Sequence, residues 1–318
     1  MTVALRSAIV GLGQVGMLFD DDSRRRRVWT HFSAYERLAD RFDLVAVCEP
    51  DTERLERAAA RRPGVRTYRT LDELLDAEVL DVLSVCTPLE LHAEQVSAAA
   101  GRVRAVVCEK PLGADMSSSE RAVEACSASG TLLAVNFYKR FEPAAQTAAQ
   151  MIRSGEIGTV RSATALYTGP LDAVGSHAID LLHFLVGPLE LVDATVGPTG
   201  ASALLGFGGG SVAVLLSTGP REDLLFEVDV VGSEGRLRIL DNCARLEFAR
   251  FEESSRYGGY RELARAAAPV EDEGEPFLLL FAELADALDG LGEAGLTSSG
   301  ASALGTQSIL DGMSAHVG

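Results

Sequence analysis

Ala8-Ile9-Val10-Gly11-Leu12-Gly13-Gln14-Val15-Gly16 joins an apolar run to the pattern G-x-G-x-x-G within the first twenty residues. Each glycine has its own physical task. Gly11 allows a tight turn off a strand, Gly13 lets the backbone approach a pyrophosphate, and Gly16 lets the next helix pack closely on that strand. Around Gln14, Val15 and Gly16 the helix begins, and its N-terminal N–H groups and partial positive charge suit a phosphate. Similar glycine turns also occur in plain strand-to-helix connections, so the pattern needs support from a second strand. Leu44-Val45-Ala46-Val47-Cys48 is such a strand, and Glu49 stands at its tip. A carboxylate there accepts hydrogen bonds from the adenosine ribose and repels a 2′-phosphate, which favours NAD over NADP. The bland alternative is a surface acid opening the turn at Pro50.

Glu49 lies well beyond the roughly 20-residue spacing of the standard motif, because Phe19 to Thr30 reads as an insertion. Within it, Asp20-Asp21-Asp22-Ser23 precedes Arg24-Arg25-Arg26-Arg27, most simply a solvated loop of opposite charges. A sharper reading has some of these arginines reaching a phosphate or carboxylate. Beyond the insertion, Val28, Phe32, Tyr35, Ala39 and Phe42 fall at three- and four-residue steps, which predicts a resumed helix with one apolar face.

The chain has 318 residues, enough for about two domains. Its net charge of -17 opposes binding to nucleic acid or to an anionic membrane surface, both of which need a basic footprint. Small polar partners remain compatible. No apolar run reaches the ~20 residues needed to span a bilayer, and the chain enters its first strand without a signal-peptide pattern, so a cytoplasmic protein is expected. Cys48, Cys86, Cys108, Cys126 and Cys243 are odd in number and form no C-x-x-C pair. Reduced, mostly buried thiols and no metal site follow.

Up to about residue 135, strands alternate with helices. Helices are predicted at Leu55 to Arg62, Leu71 to Ala77, Glu90 to Gly101 and Ser117 to Gly130. Strands are predicted at Val79 to Cys86, Ala105 to Cys108 and Leu132 to Val135. This alternation gives an α/β fold, an N-terminal Rossmann doubly wound parallel sheet over residues 1–135, with ligands off the carboxyl ends of its strands. Residues 136–318 are richer in strand, with long runs at Val160 to Tyr167, Ala201 to Thr218, Leu224 to Val231 and Arg236 to Phe248, helices at His177 to Val186 and Phe277 to Leu291, and an acidic loop at Glu271 to Glu275. They read as a C-terminal α+β domain whose sheet is largely antiparallel with one open face.

Four further segments narrow the reading. Thr87-Pro88 with His92, then Cys108-Glu109-Lys110-Pro111, then Asn136 to Arg140 follow successive strands, and Gly175-Ser176-His177-Ala178-Ile179-Asp180 comes later. In this order the chain resembles the glucose-fructose oxidoreductase, inositol dehydrogenase and rhizopine catabolism family (Gfo/Idh/MocA). The last segment is similar to the family's G-x-H-x-x-D.

The resemblance implies hydride transfer between a nicotinamide cofactor and a hydroxyl carbon, usually of a sugar or cyclitol. It implies that Thr87, Pro88 and His92 border the cofactor, that Glu109 hydrogen-bonds the nicotinamide ribose and that Lys110 contacts the substrate hydroxyl. It also implies a peptide bond before Pro111 that is commonly cis in relatives, aiming Lys110 into the cleft. Hydride departs readily only when the hydroxyl proton is removed, which assigns proton relay to Lys110 and general acid/base work to His177. The plain alternatives are a surface lysine and a histidine that packs or caps. Asp180, three residues on, would orient the imidazole or cap. Tyr138 and Arg140 would face substrate or pack at the domain junction. Many relatives carry an aspartate four residues before the histidine; here Ala173 occupies that place and Asp172 precedes it. On an extended backbone Asp172 would point to the opposite face, leaving Lys110 and His177 to share the proton work. Three readings stay open: a sugar or cyclitol dehydrogenase or ketoreductase, a reductase of an imine or other unsaturated group, and a non-catalytic NAD(H) sensor. The resemblance also implies a homo-oligomer, dimer or tetramer, paired through the open sheet face.

Overall fold

The computed structural model describes residues 3–197, 200–264, 270–271, 274–290 and 295–316. It divides into two compact units, Met1–Tyr138 with Phe277–Gln307, and Lys139–Pro276 with Ser308–Gly318.

In the first unit six strands, β1 (Leu5–Val10), β2 (Phe42–Cys48), β3 (Arg66–Tyr68), β4 (Val82–Val85), β5 (Ala105–Cys108) and β6 (Leu132–Val135), form one sheet in the order β3-β2-β1-β4-β5-β6. Every pairing is parallel. The order reverses between β1 and β4, the place where ligands bind in doubly wound sheets. All residues of β4 and β5 are buried, as helices on both faces require. The helices are α1 (His31–Arg37), α2 (Thr52–Arg61), α3 (Leu71–Ala77), α4 (Leu89–Ala99) and α5 (Met116–Ser129). The starts of α2 and α3 follow capping chemistry: Asp51 accepts from the N–H of Glu53 at 2.9 Å, and Thr70 with Glu73 makes a capping box.

The helix expected straight after the glycine motif is a single wide turn, Gln14–Leu18, in which the N–H groups of Met17 and Leu18 both reach the carbonyl of Gly13. The insertion then closes on itself. Asp20 accepts from the Trp29 N–H at 3.0 Å and the Thr30 hydroxyl at 2.6 Å, Arg24 is forked onto Asp22, and Arg57 of α2 reaches Asp21 at 2.7 Å. Thr30 in turn caps α1 through the N–H of Ser33. The resumed helix is therefore shorter than its apolar periodicity predicts. Val28 precedes it, and Phe42 opens β2, because the chain turns at Leu38 to feed the strand. Phe32, Tyr35 and Phe42 are all buried nonetheless.

The second unit carries α6 (Pro143–Arg153), β7 (Val160–Tyr167), α7 (Ser176–Val186), β8 (Glu190–Gly197), β9 (Gly200–Phe207), β10 (Ser211–Ser217), β11 (Phe226–Gly232), β12 (Gly235–Leu240), β13 (Arg245–Glu253), β14 (Arg261–Leu263) and β15 (Val270–Glu271). The strands order as β14-β13-β12-β11-β7-β10-β9-β8, with β15 beside β13. The β7–β10 pair is parallel and the others are antiparallel. On β7 the small residues Ala163 and Ala165 and then Tyr167 alternate into a core shared with Ile179 and Leu182 of α7. Val192, Leu204, Val212 and Leu216 are exposed elsewhere on the sheet. The long runs predicted at Ala201 to Thr218 and Arg236 to Phe248 are each two strands, broken at Gly208-Gly209-Gly210 and at Asp241–Cys243. Glu190–Gly197 escaped the sequence reading because four of its eight residues are polar or glycine. Within the predicted acidic loop, Glu271 pairs with β13, while Asp272 and Glu273 lie outside the described residues.

Two C-terminal helices follow, α8 (Pro276–Leu288) and α9 (Gly300–Ser314). Leu291, the predicted end of the first, lies outside the described residues. The sequence reading divides the chain once, at residue 135, whereas Phe277–Gln307 returns to the first unit. The reason is aromatic. Phe277 and Phe281 set their ring edges against His31 at 5.3 Å each, and Phe281 meets Tyr35 at 5.1 Å. No described helix is long and apolar enough to cross a membrane.

Phe281 is fully buried, so Phe281→Ala should lower stability by about 3–5 kcal/mol. Urea denaturation checks this; a loss below about 1 kcal/mol would show that α8 does not anchor the first unit.

Candidate active site

The glycine motif has the geometry its sequence demands. Gly11 has φ +88°, donates its N–H to the Cys48 carbonyl at 2.8 Å, and would place a Cβ 2.6 Å from the Cys86 backbone. A Cβ on Gly16 would collide with the Gly11 carbonyl. Beside Gly13 a Cβ meets nothing within 4 Å. The first and third glycines are thus demanded by the protein's own packing. The second borders open space, as a backbone that must meet a pyrophosphate should.

Glu49 is buried at the tip of β2. Its Oε2 accepts from the Leu12 N–H at 2.7 Å and lies 3.8 Å from Arg54, while Oε1 accepts from the Asp51 N–H at 3.2 Å. The acid is therefore tied to the glycine loop it was expected to serve, through partners the sequence reading did not name.

At the ends of β4, β5 and β6 a second group assembles. Glu109 is buried; its Oε1 accepts from Nδ2 of Asn136 at 2.6 Å and lies 2.9 Å from Nε2 of His31. Burial disfavours its charge, but the His31 and Asn136 bonds and the positive Lys110 outweigh that and hold the carboxyl below its ordinary value. Asn136 Oδ1 is buried and accepts no hydrogen bond within the described structure. Such an acceptor beside a carboxylate with an open oxygen fits an amide donor and ribose hydroxyls, which a nicotinamide riboside carries. His92 lies buried between the carbonyls of Thr87 and Pro111, 2.8 Å from each, and so staples the two turns together. Thr87 is also fixed, donating to Gln95 at 2.7 Å. The Lys110–Pro111 peptide is cis. All five cysteines are buried, and none is in a disulfide. Burial pushes the Cys48 thiol up to about 12 and raises Cys86 and Cys108, so the thiols at these strand tips are poor nucleophiles.

Tyr138 belongs to the first unit, its ring 5.4 Å from Trp29 in an edge contact and 6.3 Å from Phe277. Sequence reasoning missed His31 and Trp29, since nothing in the primary pattern pairs residue 31 with 109 or residue 29 with 138.

Within the second unit Arg140 forks onto Asp180, Nε to Oδ2 at 2.7 Å and Nη2 to Oδ1 at 2.6 Å, with both side chains buried. Asp180 is thereby clamped by Arg140. His177 is buried in the first turn of α7. The backbone before it is a helical turn, Leu171–Gly175, rather than the extended segment expected. Residues 172 and 173 are therefore not on opposite faces. Asp172 is exposed; its carboxylate accepts from the Ala173 N–H, and its carbonyl accepts from the Ser176 hydroxyl. Lys139, also unforeseen, is buried against the Phe226 ring and donates to Asn242, the middle of three residues with positive φ.

Residues 5–137 match the Gfo/Idh/MocA family, an oxidoreductase family with an NAD-binding Rossmann fold. Over those residues the chain is similar to the NAD-binding part of that family. It is 31% identical over 230 residues to D-apiose dehydrogenase of Paraburkholderia graminis, covering 62% of this chain and 60% of that protein. To inositol 2-dehydrogenase of Corynebacterium glutamicum strain R it is 28% identical over 201 residues, 59% of this chain and 56% of that protein. The chain thus spans less than two thirds of the length of these curated relatives. The fold is shared with the WlbA dehydrogenase of Bordetella pertussis, solved with NADH and UDP-GlcNAcA, at TM-score 0.78 and 22% identity over 98% of this chain and 96% of that one. Within the matched residues the glycine turn, Glu49, Glu109 and His92 stand at the carboxyl ends of one parallel sheet.

Gly13→Ala should fold with an unchanged melting temperature and bind NADH at least tenfold more weakly, while Gly16→Ala should lose several degrees. Equal melting losses would show that Gly13 also is demanded by packing rather than by a ligand.

Proposed function

We propose that the protein is an NAD-dependent oxidoreductase transferring hydride between the nicotinamide and a hydroxyl or keto carbon of a sugar, cyclitol or related polyol. The observation that carries this reading is the pairing of Glu49 with the glycine loop at one strand end and of Glu109 with Asn136 at another. The relatives' names, D-apiose dehydrogenase and inositol 2-dehydrogenase, support the substrate class.

When bound, the dinucleotide supplies the two-electron acceptor or donor. Gly11 makes the turn, Gly13, Gln14, Val15 and Gly16 take the pyrophosphate on backbone N–H groups, and Glu49 takes the adenosine ribose and repels a 2′-phosphate. Glu109 accepts from the nicotinamide-side ribose, and His92 holds the Thr87-Pro88 turn against it. Lys110 takes the hydroxyl proton as the carbon is oxidised, and returns it in reduction. His177 acts as general acid/base, with Tyr138, Arg140 and Asp172 bordering the substrate. The exposed apolar residues of the second sheet support a homo-oligomer, dimer or tetramer, and the reduced buried cysteines support a cytoplasmic setting.

Lys110→Met should leave NADH affinity within about twofold and lower kcat by about a hundredfold or more, read at 340 nm on a panel of polyols and keto sugars. A fully active variant would remove the proton role. If wild type binds NADH yet turns over no polyol, keto sugar or imine, the sensor reading replaces this one. Glu49→Ser should relax the preference for NAD over NADP by about tenfold or more; unchanged discrimination in competitive binding would assign it to another residue.

A further inference from the structure

We propose that His31 is a positioning residue for the cofactor, holding Glu109 so that one carboxylate oxygen is presented to the nicotinamide-side ribose. This rests on the reading of Glu109 given above. His31 is fully buried and belongs to α1, outside every motif of the site and far in sequence from Glu109. Its Nε2 lies 2.9 Å from Glu109 Oε1, its Nδ1 lies 2.9 Å from Ser84 Oγ on β4, and that hydroxyl lies 2.8 Å from the Tyr35 hydroxyl. The direction of each bond follows from the chemistry of its end groups. An ionised carboxylate only accepts, so Nε2–H donates to it. In the neutral ring Nδ1 then accepts from the Ser84 hydroxyl, whose oxygen accepts from Tyr35. Burial raises the Tyr35 pKa and keeps that phenol protonated, so the chain runs one way from Tyr35 to Glu109.

Two features separate this arrangement from a buried histidine that merely satisfies its neighbours. Both donors, His31 and Asn136, fall on the same oxygen, Oε1. Among the described residues Oε2 accepts no hydrogen bond, so the carboxylate is locked in rotation with one face committed and the other presented. The ring itself is set by the edges of Phe277 and Phe281, and by Ser84 behind it, so its tilt is over-determined. Four separate pieces of chain, ending β4, β5 and β6 and opening α1, meet to fix a single oxygen. Preorganisation of this kind lowers the cost of ordering a binding group when its ligand arrives.

The test compares two probes on the full chain by calorimetry. NADH carries the nicotinamide riboside; ADP carries the adenosine ribose and diphosphate without it. His31→Leu should weaken NADH roughly ten- to a hundredfold, the scale of one hydrogen bond to a charged group, and leave ADP within about twofold. His31→Gln, whose amide can donate to Glu109, should recover most of the loss. In a Glu109→Gln background His31→Leu should add less than about twofold, since both changes remove one interaction. Equal weakening of NADH and ADP, or losses that multiply with Glu109→Gln, would overturn the proposal and make His31 a packing residue. If His31→Leu fails to fold, Ser84→Ala keeps the His31–Glu109 pair but frees the ring behind it. It should weaken NADH alone, by about threefold or more, and an unchanged NADH affinity there would also overturn the proposal. Failure of the wild type to bind NADH would instead sink the dinucleotide reading itself.

Discussion

The close approach of Gly16 to the carbonyl of Gly11 is the constraint on which the first unit turns. That contact lets the chain leave β1, reverse within six residues and lie against the strand it has just left. Everything at the carboxyl edge of the sheet inherits this geometry: the Gly11 N–H reaches Cys48 on β2, and the Leu12 N–H reaches Glu49 just beyond it. A side chain at either glycine would push the loop off the neighbouring strands and separate the acid from the amide it holds. In the insertion that follows, Asp22 pairs with Arg24, Asp20 with Trp29 and Thr30, and Asp21 with Arg57 of α2.

Polar groups buried at the edge are costly unless paired, and their pairing explains which residues sit there. Glu109 keeps its charge although buried because His31 and Asn136 donate to it and Lys110 lends positive charge, and His31 is tolerated between two phenylalanines because Ser84 and Glu109 pair with both ring nitrogens. His92 plays a comparable part between Thr87 and Pro111. In the second unit the same logic makes Asp180 the partner of Arg140, a bidentate pair with both members withdrawn from water. In each unit these are mutually dependent pairs, and a truncation on one side strands a buried group on the other.

Local signals made much of this legible. The periodicity of the apolar runs located β5, β6, β7 and α3 to the residue, and G-x-G-x-x-G with Glu49 named the nucleotide edge before any contact was known. Where the reading fell short, distant partners intervened. α1 stops early because Phe42 is claimed by β2, and Leu171–Gly175 is helical although its composition allows an extended strand. Phe277 and Phe281 belong with residues they follow by more than two hundred positions.

By itself the sequence determined the parallel sheet and its carboxyl edge, because strand periodicity and glycine geometry are properties of neighbours along the chain, while Glu109 and Lys110 stood out only through the resemblance to a family. Only the tertiary structure decided that His31 holds Glu109, that Arg140 holds Asp180 and that α8 returns to cover α1. Those pairings depend on which side chains lose their water together, and burial is settled by the packing of the whole unit rather than by any segment of it.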